Sequence, residues 1–196
     1  MTLANKVTIG RIFLIPVFVW LAIYYANSVK EGEPVEAWRW AAIAVFILAA
    51  VSDGIDGFIA RRFNQHSELG RILDPLADKA LLLTAIITLS VIHWPQAFPI
   101  WFPIIIIARD AVVISGSLLV HYLVGKVQAP PHWTGKCATF FQMVAIAWVM
   151  LLIETPSPLF AIVLAVVFTV ASGLIYVTSG VRQVNASGHG HPDNPL

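Results

Sequence analysis

Four aspartates, Asp53, Asp56, Asp74 and Asp78, fall in one short stretch that otherwise reads as two apolar runs. Asp53 and Asp56 are spaced i,i+3, and Asp74 and Asp78 i,i+4, so on helices each pair shares one face. A carboxylate in a membrane helix costs roughly 3 kcal/mol near the bilayer centre and less near the interface. Four together also repel one another, so as anions they need cations among them. Arg61 and Arg71 stand near the connection between the runs and cannot neutralise the whole group. Hard divalent ions that prefer oxygen ligands can do so. Two such ions clamp the attacking and leaving oxygens of an in-line displacement at phosphorus. The residue types alone therefore point to metal and phosphate at one membrane face. Helix caps and interfacial salt bridges would explain one aspartate better than two facing pairs with Gly57 and Gly70 beside them. A calcium loop is excluded, because the later ligands and the terminal glutamate of such a loop are missing.

The rest of the chain must carry this group in lipid. Its 196 residues are 58% hydrophobic and 12% charged, where a soluble domain has about 25% charged residues. There is too little polar surface to coat a globule in water. The formal net charge of +1 supplies no basic stripe for a phosphate backbone, so nucleic acid is not expected as a partner. The single cysteine, Cys137, excludes an internal disulfide and reads as a small packed residue. A helix needs about 20 apolar residues to cross a bilayer. Six stretches meet this, approximately Val7–Ala26, Trp40–Ile59, Ile72–Ile92, Pro99–Leu123, Trp133–Ile153 and Leu159–Val181. None shows the period-two alternation of a membrane barrel. The expected fold is all-α: a polytopic integral membrane protein with six transmembrane helices, the membrane domain covering 1–182 and a polar, disordered tail 183–196. The first run is too long for a cleavable signal. His189 and His191 in the tail carry no assigned chemistry.

Charge orients the spans. Lys6, Arg11, Arg61, Arg62, Arg71, Lys126, Lys136 and Arg182 fall on one side if the spans alternate. Lys30 and Arg39, with Glu31, Glu33, Glu36 and Glu154, fall on the other. Lysine and arginine favour the cytoplasm, which puts both termini and the aspartates there. Trp38, Trp40, Trp94, Trp101 and Trp133 stand near span ends, where interfacial anchoring is expected. The connection Arg61–Gly70 is short enough to make spans two and three antiparallel neighbours, so their aspartate faces can meet. Asn5, Thr8 and Arg11 recur at i, i+3, i+6, one face of the first helix; an interfacial cap with a positive-inside anchor is the alternative explanation for them. Arg109 lies inside the fourth span and needs an anionic partner, which Asp110 or the aspartate group can supply. A cation transporter using the aspartates as an ion pathway is a reading from another class. It predicts midplane carboxylates and interrupted helices beside them, whereas these acids gather at one expected membrane edge.

The segment reads D-x-x-D-G-x-x-A-R-x8-G-x3-D-x3-D through Asp53, Asp56, Gly57, Ala60, Arg61, Gly70, Asp74 and Asp78. This resembles the signature of the CDP-alcohol phosphotransferases, and six spans are similar to that family's architecture. The resemblance implies a phosphatidyl transfer from CDP-diacylglycerol to an alcohol with release of CMP. It implies that Asp53, Asp56, Asp74 and Asp78 hold two divalent ions, Mg2+ or Mn2+, and that Asp78 is the general base toward the acceptor hydroxyl. Gly57, Ala60 and Gly70 would let the nucleotide lie against the backbone, with Arg61 and Ser67 on the donor. Asn5, Thr8 and Arg11 would reach the donor head group. A homodimer in the bacterial inner membrane, surrounded by membrane lipids and with its active site facing the cytoplasm, is implied as well.

For the acceptor, Arg109-Asp110 and Gly135-Lys136-Cys-Ala-Thr139-Phe-Phe-Gln142 resemble the phosphatidylglycerophosphate-forming members. There such cations receive the phosphate of glycerol 3-phosphate, which makes Arg109 and Lys136 the candidate acceptor contacts. The chain departs from that pattern in three places: Asp110 replaces a glutamate, Ala138 a lysine, and no arginine follows Ser115-Gly116. The Arg-Asp pair with a single lysine is similar to the cardiolipin synthases of the same superfamily, whose acceptor is phosphatidylglycerol.

Overall fold

The computed structural model of the protein describes residues 3–63, 68–125, 133–155 and 157–188, with side chains described for 8–52, 77–125, 133–155 and 157–185. Among these residues there are six helices and no strand: α1 (Leu3–Lys30), α2 (Glu36–Phe63), α3 (Glu68–Val91), α4 (Trp101–Val124), α5 (Trp133–Met150) and α6 (Leu159–Gly188). Three of them, α1, α4 and α6, are long and apolar enough to cross a membrane. All six expected spans are helical. Most run past the apolar stretches that announce them, because good helix formers continue the backbone ladder into polar flanks. Thus α2 continues through Arg61 and Arg62, and α3 opens at Glu68, so the connection between them shrinks from Arg61–Gly70 to residues 64–67. Likewise α6 runs to Gly188; residues 189–196 of the polar tail lie outside the described residues.

The chain forms two compact units, one of residues 1–103 with 146–158, the other of 104–145 with 159–196. In the first, α1 lies against both α2 and α3, which also touch each other. Gly32, at φ 83°, turns the chain out of α1, and Ser28 Oγ accepts from Val35 N at 3.0 Å to close that turn. Tyr25 then stands beside Glu36, and Phe18 meets Phe46 at 5.8 Å between ring centroids, so α1 and α2 are antiparallel. Ala22, Ala26, Ala42, Ala49 and Ala85 are buried along these seams. Small side chains let helices approach closely where lipid offers no hydrophobic drive to pair them. Large apolar residues such as Phe13, Trp20, Ile47 and Leu48 face outward, the inverse of a water-soluble protein and the arrangement lipid requires.

Trp94 corrects one expectation. It is not an interfacial anchor but a packed residue, 4% exposed. Its ring lies 4.7 Å from that of Tyr25, and Nε1 donates to Val149 O at 3.0 Å. Buried indoles require a partner for N–H, and here that need ties the end of α5 to the loop after α3. Trp40, Trp101 and Trp133 remain exposed.

In the second unit α4 and α6 run parallel. Arg109 meets Ser172, Ser117 hydrogen-bonds Tyr176, and a methyl group added at Gly180 would stand 3.4 Å from Val120 Cγ2. The α5 segment runs opposite to α6, with Gly135 beside Arg109 and Gln142 bonded to Thr169. Phe141 and Phe168 stack at 5.1 Å and 11°. An apolar cleft of about 430 Å³ opens between α4 and α6, lined by residues such as Leu119, Leu123, Val177 and Val181.

Trp94→Ala is expected to lower stability by about 3–5 kcal/mol, and Trp94→Phe by roughly 0.5–1.5 kcal/mol through loss of the indole hydrogen bond to Val149 O, which keeps Leu152 N as a donor. Thermal midpoints in detergent should fall in that order.

Candidate active site

The aspartates are positioned by the α2–α3 hairpin. Only residues 64–67 separate the two helices, which forces an antiparallel return. Asp53 lies ten residues before the end of α2, and Asp78 ten residues after the start of α3. Asp56 lies seven residues before that end, and Asp74 six after that start. At 1.5 Å per residue, one level lies about 15 Å from the turn and the other about 10 Å. Asp53 and Asp78, and likewise Asp56 and Asp74, thus stand at matching distances along their helices from the α2–α3 connection. Gly57, Ala60 and Arg61 occupy the remaining turns of α2, and Gly70 the first turn of α3. Both helices pass through the aspartate positions unbroken, unlike the interrupted helices of an ion pathway. The side chains of Asp53, Asp56, Asp74, Arg61 and Asn5, and Ser67 altogether, lie outside the described residues. Asp78 is half-buried and Lys79 exposed. Among the described residues no three His, Cys, Asp or Glu gather.

Two donor candidates on α1 are described. Thr8 is fully buried and Arg11 is 1% exposed. Burial of an arginine at this level has to be compensated by its surroundings, and Arg11 has an interaction partner. The helix that carries it packs on α2 and α3, the two aspartate helices. An exposed interfacial anchor, the alternative for this segment, does not match that burial.

Arg109 is the centre of a separate polar cluster in the second unit. Nη1 donates to Asp110 Oδ1 at 2.7 Å, so the ion pair that the sequence allowed is formed. Nε and Nη2 both donate to Ser172 Oγ, at 3.1 and 3.0 Å. On the other side Gly135 of α5 approaches the guanidinium: a methyl group there would lie 3.7 Å from Nη2. Lys136, the next residue, is exposed. The two acceptor candidates thus come from α4 and from the first turn of α5, whose Gly135 lies beside Arg109. Thr139 Oγ1 bonds back to Gly135 O at 3.2 Å, which fixes that turn rather than offering a ligand group.

Sequence reasoning missed the α6 side of this cluster. Thr169 and Ser172 are buried. Thr169 Oγ1 donates to Ala165 O at 2.6 Å and accepts from Gln142 Nε2 at 3.1 Å. Ser172 Oγ donates to Thr169 O at 2.9 Å. A signal was present, since Thr169 and Ser172 recur at i,i+3 in an otherwise apolar span and so share a face.

The family model for CDP-alcohol phosphatidyltransferase matches residues 1–171. A probable phosphatidylglycerophosphate synthase from Mycobacterium tuberculosis is 34% identical over 185 residues, 93% of this chain and 83% of its own length. A CDP-diacylglycerol–glycerol-3-phosphate 3-phosphatidyltransferase from Bacillus subtilis is 35% identical over 194 residues, 94% of this chain and 98% of its own. A cardiolipin synthase (CMP-forming) from Streptomyces coelicolor is 33% identical over 153 residues, 77% of this chain and 66% of its own. The chain belongs to the CDP-alcohol phosphatidyltransferase family. It is a membrane-embedded transferase of phospholipid synthesis.

Thr169→Val should leave the Gln142 amide buried without its acceptor and cost roughly 1–3 kcal/mol. Gln142→Leu in the same chain should recover most of that loss, because apolar replacement of both partners is close to neutral. Thermal midpoints of the two single variants and the double variant test this.

Proposed function

We propose that this protein transfers a phosphatidyl group from CDP-diacylglycerol to glycerol 3-phosphate, releasing CMP. The observation that carries the reading is the register of the α2–α3 hairpin, which levels two carboxylate positions on each helix with two on the other. Four hard oxygen-donor side chains on a rigid hairpin suit two Mg2+ or Mn2+ ions better than soft metals. Such ions, when bound, supply positive charge to the pyrophosphate and to the departing CMP. Asp53, Asp56, Asp74 and Asp78 are the residues that would hold them. The acceptor hydroxyl attacks the lipid-linked phosphorus, a new P–O bond forms, and the bond to CMP breaks. The hydroxyl proton passes to a carboxylate, for which Asp78 is the assignment.

The nucleotide lies along the hairpin where Gly57, Ala60 and Gly70 keep the backbone open, with Arg61 and Ser67 on its phosphates. Asn5, Thr8 and Arg11 approach the same donor from α1, a role supported by the burial of Thr8 and Arg11. Arg109 and Lys136 receive the acceptor's phosphate. The names of the M. tuberculosis and B. subtilis relatives support glycerol 3-phosphate. The remaining parts of the reading are six spans, both termini and the active site at the cytoplasmic face of a bacterial inner membrane, a polar tail after the catalytic domain, and a homodimer. Antiparallel neighbours within each unit and the lysine and arginine bias support the topology; the dimer rests on the family resemblance. Cardiolipin synthesis from phosphatidylglycerol is the second reading. It is favoured by the Arg109–Asp110 ion pair, which offsets one of the two cations and suits a singly charged phosphodiester.

The test is CMP release from CDP-diacylglycerol with Mg2+ or Mn2+ and a panel of acceptors. Glycerol 3-phosphate is expected to support turnover, and chelation with EDTA to abolish it. Turnover with phosphatidylglycerol alone would transfer the assignment to the second reading, and release with no acceptor or metal would end the first. Asp74→Asn should lower kcat at least 100-fold, about 2.7 kcal/mol in the barrier, with membrane insertion unchanged.

A further inference from the structure

We propose that Ser172 and Gly173 of α6 are positioning residues that set how Arg109 meets the acceptor's anion. This rests on the reading of Arg109 as an acceptor contact and adds what holds it in place.

A guanidinium carries five N–H groups in a fixed fork. Among the described residues, Ser172 Oγ takes one from Nε and one from Nη2, and Asp110 takes one from Nη1. One N–H on each terminal nitrogen is left over. Those two atoms form the end of the fork that suits bidentate recognition of a phosphate or carboxylate oxygen pair. Ser172 can act toward Arg109 only as an acceptor, because its own hydroxyl proton is committed to Thr169 O at 2.9 Å. Its lone pairs therefore face the arginine in a fixed direction. The serine is 4% exposed, so water does not compete for that edge.

The chemistry of the partner matters as much as its place. A carboxylate at this position would orient the guanidinium but cancel its charge. A serine orients it with a dipole alone. Asp110 already offsets one positive charge, so a second acid would also cancel the charge that Lys136 brings. Ser172 locks the Nε/Nη2 edge and keeps the cation. Gly173 completes the seat from the stem side: a methyl group added there would lie 3.3 Å from Arg109 Cγ. That is close enough to push the stem by a few tenths of an ångström and to turn the fork with it. Gly135 leaves the side of Nη2 open.

The experiment is steady-state kinetics of CMP release with glycerol 3-phosphate and CDP-diacylglycerol each varied, on purified full-length protein in mixed micelles. Ser172→Ala is expected to raise the KM for glycerol 3-phosphate about ten-fold, with kcat and the KM for CDP-diacylglycerol changed less than two-fold. Ser172→Thr keeps an acceptor oxygen and should restore the acceptor KM to within about three-fold. Gly173→Ala should raise that KM several-fold while the Ser172 hydroxyl is intact. In an Arg109→Lys background, Ser172→Ala should add nothing, because an ammonium has no Nε/Nη edge to align. A purely structural role for Ser172 would change both substrates' KM together and would be additive with Arg109→Lys; either result overturns the proposal. An unchanged acceptor KM in Ser172→Ala, with a raised one in Arg109→Ala, removes the positioning role and leaves Arg109 as the contact. An unchanged acceptor KM in Arg109→Ala itself removes the acceptor-site reading and the proposal with it.

Discussion

The repulsion among four carboxylates in a membrane hairpin is the constraint on which the rest of the structure depends. Lipid gives such a group no solvation, and a helix gives it no backbone groups to spare. Positive charge has to offset it. The helices α2 and α3 run unbroken through the aspartate positions, and Asp53 and Asp78, like Asp56 and Asp74, stand at matching distances from the connection between them. Helix α1 lies on both and brings a buried threonine and arginine into the same unit.

A second polar cluster follows a different rule. The Arg109 cluster is bonded largely within itself. Asp110 and Ser172 accept from Arg109, Ser172 donates to the backbone carbonyl of Thr169, and Gln142 of α5 donates to the Thr169 hydroxyl. Buried polar networks of this kind rigidify only when every member is satisfied. Gly173 adds to the positioning, because a methyl group there would press on the Arg109 stem.

The sequence made the aspartate hairpin legible because a costly pattern has few explanations. Acids spaced i,i+3 and i,i+4 at the ends of apolar runs are expensive in lipid, and their spacing already contains the helical face. All six helices were legible for a similar reason, since apolar length is a strong constraint in a bilayer. Helix ends were not, because apolar runs mark the hydrocarbon and not the point where the backbone ladder stops. That difference placed Arg61 and Gly70 inside α2 and α3 rather than in a loop. Trp94 was misplaced because its position near a span end suits an anchor, and only packing shows its N–H turned inward to Val149. Ser172 and Gly173 escaped notice because small residues in a membrane span are common, and their role exists only through contact with a residue 63 positions away.

The most direct test of the central claim is a count of the ions the hairpin holds. Electron paramagnetic resonance titration of purified protein with Mn2+ in the presence of a CDP-lipid reports the number bound per chain, independently of turnover. Two ions per chain in the wild type, falling to one or none in Asp53→Asn and Asp74→Asn, is the predicted result. Mn2+ binding that is absent, or that is unchanged when both aspartates are replaced, would contradict the account.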